Sequence, residues 1–378
     1  MERTLIIQPR DPAIFRDGKP FTLGLPARST PWPTPSAVIG AIRTRLGRLT
    51  RYDKDTVARL KLIEHCGPFL ASAQGDAYTL AFPAPADVVA FAAKKGELEL
   101  CAVRPEKLRD GEGTDLEDMP PLLGGRGTKP VELPPFWTAA ATMAWLEKRG
   151  GQPVFRGKAD VGLGVRARQK RIHVKIEAAT QAAEKSMLFA TEGLEFSDHE
   201  RVWEEEENDW KFREPRPRIC SRIRYGDSEE WAALERLAPI GGERRLAYWR
   251  EEKIDWPAAP EWLANEKLVR LQLATPGCFE EGWKPGWLAH GRPPGTEGLE
   301  VTLVAAAVPR AVPLSGWDLT KPGKNSQKAT RFLAPAGSVY FCEVKGDPRQ
   351  LWLKSISDDE QDRRDGFGLV LCGVWQWR

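Results

Sequence analysis

The chain has 378 residues, enough for two domains that each bury a core. Charged residues make up 29% of it and nearly cancel to +3, which excludes a general polycation and confines any anion site to a local patch. Six cysteines at 66, 101, 220, 278, 342 and 372 have no close pair, so a disulfide framework and a zinc module are excluded. With no run of 18 apolar residues and no apolar N-terminal leader, the expectation is a cytoplasmic protein without a membrane partner.

In chain order, Leu5-Ile6-Ile7 reads as a strand. A polar loop follows with Arg10, Asp11, Arg16, Asp17, Gly18 and Lys19, and then a helix over Ala37 to Leu46. Pro33 and Pro35 hold the approach extended, and Thr34 or Ser36 is placed to cap the first free amides. The helix stripes Val38, Ile39, Ile42 and Leu46 on one side and Arg43, Arg45 and Arg48 on the other. A strand feeding a helix opens a βαβ-type unit. Its cations, Arg16, Lys19 and Arg43 among them, sit beside the loop and favour an anionic partner; the alternative is a solvated helix face.

The pattern next gives a short helix over Thr56 to Cys66. Strands Phe69 to Ala73 and Ala77 to Phe82 flank a Gln74-Gly75-Asp76 turn, and a further strand runs from Leu98 to Val103. Arg104 to Pro135 is rich in Pro, Gly and charge and reads as a surface loop, and Phe136 to Lys148 as a helix. Val165 to Ile176 then carries Arg166, Arg168, Lys170, Arg171 and Lys175 with His173 and no acid. The two basic sets fall on opposite parities of a strand, so a bulge at Lys170-Arg171 is expected to bring them to one side. A charged edge strand guarded against aggregation is the other reading.

Leu188 to Phe196 is a strand, and Glu204 to Glu207 reads as a solvated insertion rather than a metal site. Arg213 to Arg224 is basic and extended, and Trp231 to Leu237 is a short helix. In Gly241-Gly242-Glu243-Arg244-Arg245, Gly242 lets the backbone approach a ligand, and Arg244 and Arg245 suit a phosphate; an ordinary turn fits equally. Pro257 to Pro260 is the best linker, dividing the chain into 1–257 and 258–378. Beyond it, Leu268 to Ala274, Leu299 to Val308, Ser338 to Val344 and Leu369 to Trp375 supply strands for one small sheet. Lys321, Lys324 and Lys328 lie in an acid-free loop of the kind that orders on a polyanion. Gly366-Phe367-Gly368 forms a glycine turn abutting the last strand, where backbone is expected to approach RNA or a partner.

Several of these pieces occur in a familiar order. They are Arg10-Asp11-Pro12, Phe15 to Phe21, Pro35-Ser36 with Gly40 to Arg43, Gly241 to Arg245, and Thr275-Pro276-Gly277 with Phe279, Gly282 and Trp283. Gly316-Trp317-Asp318, Pro335 to Val339 and Gly366 to Gly368 complete the set. Together they resemble the third subunit of the type III-B CRISPR effector, the Cmr complex, a member of the RAMP superfamily. The resemblance implies an α+β chain of two ferredoxin-like, RRM-related domains with antiparallel sheets, long insertions and a glycine-rich C-terminal loop. It also implies a non-catalytic role in antiviral defence. Such a subunit holds the 5′ tag of the guide RNA and docks on the large polymerase/cyclase-like subunit and on a neighbouring backbone subunit. A hairpin thumb from such subunits intrudes on the guide–target duplex, and Gly162 to Lys175 is our placement for it.

A catalytic reading has to find its groups. RAMP nucleases that cut CRISPR repeats activate a ribose 2′-hydroxyl with acid–base residues, often histidine. Here the histidines at 65, 173, 199 and 290 are scattered, and Asp358-Asp359 lacks the strand-turn setting of a metal-binding pair. There is no P-loop, dinucleotide fingerprint or nucleophile elbow. The expectation is a binder with no metal and no cofactor. A repeat endoribonuclease and a purely protein-binding scaffold stand as the alternatives.

Overall fold

The computed structural model describes residues 1–18, 28–48, 53–74, 77–93, 97–114, 119–125, 128–148, 154–155, 157–164, 168–196, 200–204, 209–213, 216–226, 234, 236–318, 321 and 326–378. The chain is α+β, with mostly antiparallel sheets and few helices. The elements that matter for the site are, in order, β1 (Glu2–Pro9), α1 (Pro35–Leu46), α2 (Lys54–Lys61), β2 (Glu64–Gln74), α3 (Ala139–Leu146), β3 (Arg168–Ile176) and β4 (Ala183–Leu194). They continue with β5 (Arg216–Arg224), β6 (Arg236–Pro239), β7 (Leu246–Glu251), β8 (Leu268–Leu273), β9 (Glu300–Ala307), β10 (Val339–Lys345), α4 (Glu360–Asp365) and β11 (Val370–Val374). Two compact units form: one from 1–78, 166–254 and 313–331, the other from 79–165, 255–312 and 332–378. Everything after the Pro257 to Pro260 segment except 313–331 falls in the second unit.

In the first unit the strands run β6, β7, β1, β5, β2 across the sheet, each pair antiparallel. The apolar stripe of α1 buries Val38, Ile39, Ile42 and Leu46 against Leu5, Ile7, Ile219, Ile223 and Trp249 of the sheet. Each such aliphatic side chain contributes about 1.5–3 kcal/mol when fully buried. Thr34 occupies the N-cap of α1, but its hydroxyl lies 3.4 Å from that of Ser36 and bonds no helix amide. Pro35 at the helix start removes one amide that would need capping.

Three boundaries differ from the sequence reading. Helix α2 ends at Lys61, capped at its start by Asp53, and Glu64 to Cys66 already belong to β2, where Arg222 and Arg224 of β5 pair with Cys66 and Glu64. That ladder satisfies backbone groups which a continued helix would have satisfied internally. Phe136 to Thr138 is strand, and the chain turns helical only at α3, where the Thr138 hydroxyl accepts from the Ala141 amide. Arg236 and Leu237 pair with β7 as part of β6 rather than ending a helix; most of Trp231 to Glu235 lies outside the described residues.

β3 and β4 form a two-stranded ribbon of their own. Its register is unbroken through Lys170 and Arg171, and the irregularity falls between Val174 and Ile176. Arg168 and Lys170 therefore stay on the face opposite Arg171 and His173, because strict alternation needs no extra residue where the ladder is continuous.

In the second unit β9, β10, β8 and β11 form one antiparallel sheet in that order, so the four C-terminal strands read from sequence do belong together. One face of β8 buries Val269, Leu271 and Leu273. On the other, Arg270 forms an ion pair with Asp87, donates to the Trp145 carbonyl and lies over the Trp145 ring, while the Trp145 indole donates to Asp87. Segment Arg104 to Pro135 carries two short paired strands, Arg104–Pro105 and Leu122–Leu123, and Leu122 packs beside Phe341 and Trp375. No helix among the described residues is long and apolar enough to cross a membrane. All six cysteines are buried, and burial pushes the Cys66 thiol up to about 11, which keeps it protonated near neutral pH.

Candidate nucleic-acid interface

The loop after β1 organises a group of cations. Ala13 pairs with Leu194 of the ribbon, and the Phe15 amide donates to the Ser29 hydroxyl at 2.7 Å. Arg16 pairs with Ser29 across the loop and is exposed, as is Arg28. The Arg168 guanidinium donates to the Ser29 carbonyl and to Glu192, each at 3.2 Å, which ties the base of the ribbon to this loop. Lys170, two residues on, is exposed on the same face and stands opposite Glu192.

The Gly241 to Arg245 turn closes the group from another side. The Gly242 amide donates to the Ile14 carbonyl at 2.7 Å, and a Cβ on Gly241, whose φ is +68°, would stand 2.5 Å from that oxygen. Glu243 and Arg244 both hold positive φ, an uncommon conformation for residues with side chains. This geometry leaves Arg244 exposed, while Arg245 bonds Glu243 at 2.8 Å. The Arg10 amide donates to the Leu246 carbonyl at 2.8 Å, which brings exposed Arg10 to the same edge. Asp11, Asp17, Glu192, Glu195 and Glu243 share the region, so the surface mixes signs, with exposed Arg10, Arg16, Arg28, Lys170 and Arg244 on its outside.

The structure thus gathers Arg16, Arg168, Lys170, Gly242, Arg244 and Arg245 around one loop. The other sequence-predicted residues have different surroundings. Arg171 bonds Gln169, Lys175 pairs with Glu184, and His173 stacks on Phe189 and bonds Thr191, all on the far face of the ribbon or towards its tip. The Arg43 guanidinium donates to the carbonyls of Leu60, Lys61 and Ile63, so it caps the end of α2. Burial and the nearby Arg236 cation press Arg45 below its ordinary value. Lys321 lies 3.7 Å from Asp318, and Lys328 is exposed with its amide bonded to Gly316. Gly366 and Gly368 belong to the second unit: Gly366 ends α4 in the left-handed region, and Gly368 has φ +67° with Ser357 against it. Lys19, Arg166 and Lys324 lie outside the described residues. Among the described residues no three His, Cys, Asp or Glu side chains converge on a metal position.

Arg28 was not visible in the sequence as part of this group, because its place depends on the loop folding back onto Phe15. Strand β7 was not read either. Its alternation of buried Ala247 and Trp249 with exposed Tyr248 and Arg250 was the available signal.

Exposed Arg10, Arg16, Arg28, Lys170 and Arg244 thus lie around one backbone-fixed loop of an α+β chain whose overall charge is nearly balanced. The chain belongs to the Cas_Cmr3 family of CRISPR-associated proteins, whose model matches residues 5–375. It is similar to a chain in the cryo-EM structure of the type III-B Cmr-beta complex bound to cognate target RNA and AMPPnP in state 1, at 15% identity and a TM-score of 0.47, covering 90% of this chain and 86% of that one. A chain of the Cmr-beta complex bound to cognate target RNA matches at 15% identity, TM-score 0.43 and the same coverages. A chain of the Csm3–Csm4 subcomplex of the type III-A interference complex matches at 11% identity and TM-score 0.38, covering 99% of each chain. No curated protein matches.

Proposed function

We propose that this chain is a non-catalytic, RNA-holding subunit of a cytoplasmic type III-B CRISPR effector. It grips the 5′ tag of the guide RNA and docks on the large polymerase/cyclase-like subunit and a backbone RAMP subunit. The observation that carries the reading is the convergence of Arg16, Lys170 and Arg244 from three separate segments onto one loop, with Gly242 setting the backbone path. Lysines and arginines on a rigid loop neutralise phosphates without reading sequence, which suits an element that positions RNA. The ribbon of β3 and β4 is the thumb in this reading.

Both units are ferredoxin-like variants in this reading. Numbered along the chain, β1, β2, β5 and β7 lie in the sheet order 4-1-3-2, and so do β8, β9, β10 and β11. That order, with every pair antiparallel, is the support for it.

The test is salt dependence. Each phosphate contact made with a single strand contributes about 0.7 to the slope of log affinity against log salt, so replacing Arg16, Lys170 and Arg244 together by alanine reduces the slope by about two. Guide-RNA affinity of the reconstituted complex at several salt concentrations measures it, and an unaltered slope removes this cluster from the RNA path.

A further inference from the structure

Ala247 and Trp249 point into the core beneath α1, so alternation sends Tyr248 and Arg250 to the opposite face of the first unit's sheet. Register places Tyr248 between Gln8 of β1 and Leu237 of β6. Tyr248 is 43% exposed and Leu237 38%, while neighbouring Ala238 and Ala247 are buried. An aromatic ring and an aliphatic side chain thus stand side by side on adjacent strands. Arg250 is exposed two residues further along the strand, about 7 Å from Tyr248 at the usual strand rise. Neither the Tyr248 hydroxyl nor the Arg250 guanidinium has a partner among the described residues. At the other end of β7 the same hairpin turns through Arg244 and Arg245. On this face the carboxylate of Glu2 is already engaged by Arg222 and Arg224.

We infer that the β6–β7 edge is a stacking platform for unpaired RNA, with a nucleobase on Tyr248 and Leu237 and the flanking phosphates on Arg250 and Arg244. The inference rests on the RNA-holding reading above and adds a second kind of contact to it. The phosphate cluster around the Phe15 loop accepts any RNA backbone, whereas a ring on a sheet face accepts only a base free of its partner. The charge argues for RNA over a protein surface: an exposed aromatic with an exposed arginine two residues along its strand and another in the turn that leads into that strand suits a base and its flanking phosphates.

The experiment uses the full-length chain, a labelled single-stranded RNA of mixed sequence and a blunt RNA duplex as competitor. Tyr248→Ala weakens single-strand binding by about 5- to 150-fold, the range for losing one base stack. Tyr248→Phe keeps the stack and binds as wild type does. The salt slope is unchanged by Tyr248→Ala but falls by about 0.7 in Arg250→Ala. Because the lost contact needs an unpaired base, Tyr248→Ala also narrows the preference for single strand over duplex. Wild-type protein that retains no RNA overturns both readings. RNA binding lost on replacing Arg16, Lys170 and Arg244 yet unchanged in Tyr248→Ala overturns the platform alone. So does a Tyr248→Ala variant that binds RNA normally but no longer assembles with its partner subunits, which makes this edge a protein interface.

Discussion

Gly242 and Gly368 look alike in the sequence, each a glycine in a short turn beside a strand. The backbone distinguishes them. At Gly368 a Cβ would stand 2.5 Å from the Ser357 hydroxyl, and its φ of +67° is one that other residues adopt at a cost, so the glycine is required by packing. At Gly242 the nearest atom to an added Cβ is the Ile14 carbonyl oxygen at 3.4 Å, an ordinary contact. Gly368→Ala should therefore lower stability by about 1–3 kcal/mol while leaving RNA affinity intact. Gly242→Ala should leave the melting temperature within a degree or so and weaken capture of guide RNA, because the added methyl narrows the approach to the loop. Melting curves and affinities of the two variants decide this, and equal losses in both would make Gly242 a structural turn as well. Glycine in a sequence announces a special backbone without saying which φ it holds, and Arg43 shows the same limit for cations. Its charge was legible, but its three carbonyl partners lie 17 to 20 residues away along the chain.

Among the elements, α1 was readable because Val38, Ile39, Ile42 and Leu46 recur at one helical period and all are buried. The ribbon was half readable. Its basic run marked a solvated strand, but arginine and lysine at both parities gave no apolar face to fix the register, and exposed Ile172, Val174 and Ile176 made neither face an obvious inside. The register is testable by cross-linking. Ile172 stands directly opposite Ala190, within the spacing a disulfide spans, so Ile172→Cys with Ala190→Cys should oxidise readily. Ile172→Cys with Thr191→Cys should not, since those side chains leave opposite faces. A bulge at Lys170-Arg171 would reverse the two results. Thiol titration reads the outcome cleanly because the native cysteines are buried.

At the scale of the whole chain, the four strands after residue 258 were legible as apolar runs between turn residues, and they do share one sheet. What covers the Arg270 face of that sheet was not legible, since Asp87 and Trp145 are 183 and 125 residues away from Arg270 and a lone arginine in an apolar strand reads as an exposed side chain. The second unit instead draws residues 79–165 onto the sheet and joins them through a charge pair whose side chains are 3% and 0% exposed. A buried pair of this kind is weak evidence of net stabilisation, because desolvation of both ions offsets their attraction, but removing one partner leaves the other charged and dry. Asp87→Ala should therefore destabilise the protein by about 3–5 kcal/mol. It also strips the Trp145 indole of its acceptor. The double replacement Asp87→Leu with Arg270→Met should recover most of that loss, since neither charge then needs a partner. Denaturant unfolding of the two variants and wild type measures both numbers. A single variant that costs less than about 1 kcal/mol would mean that water reaches Arg270, and that segment 79–165 is held to the sheet by Trp145, Leu122 and their apolar neighbours rather than by the ion pair.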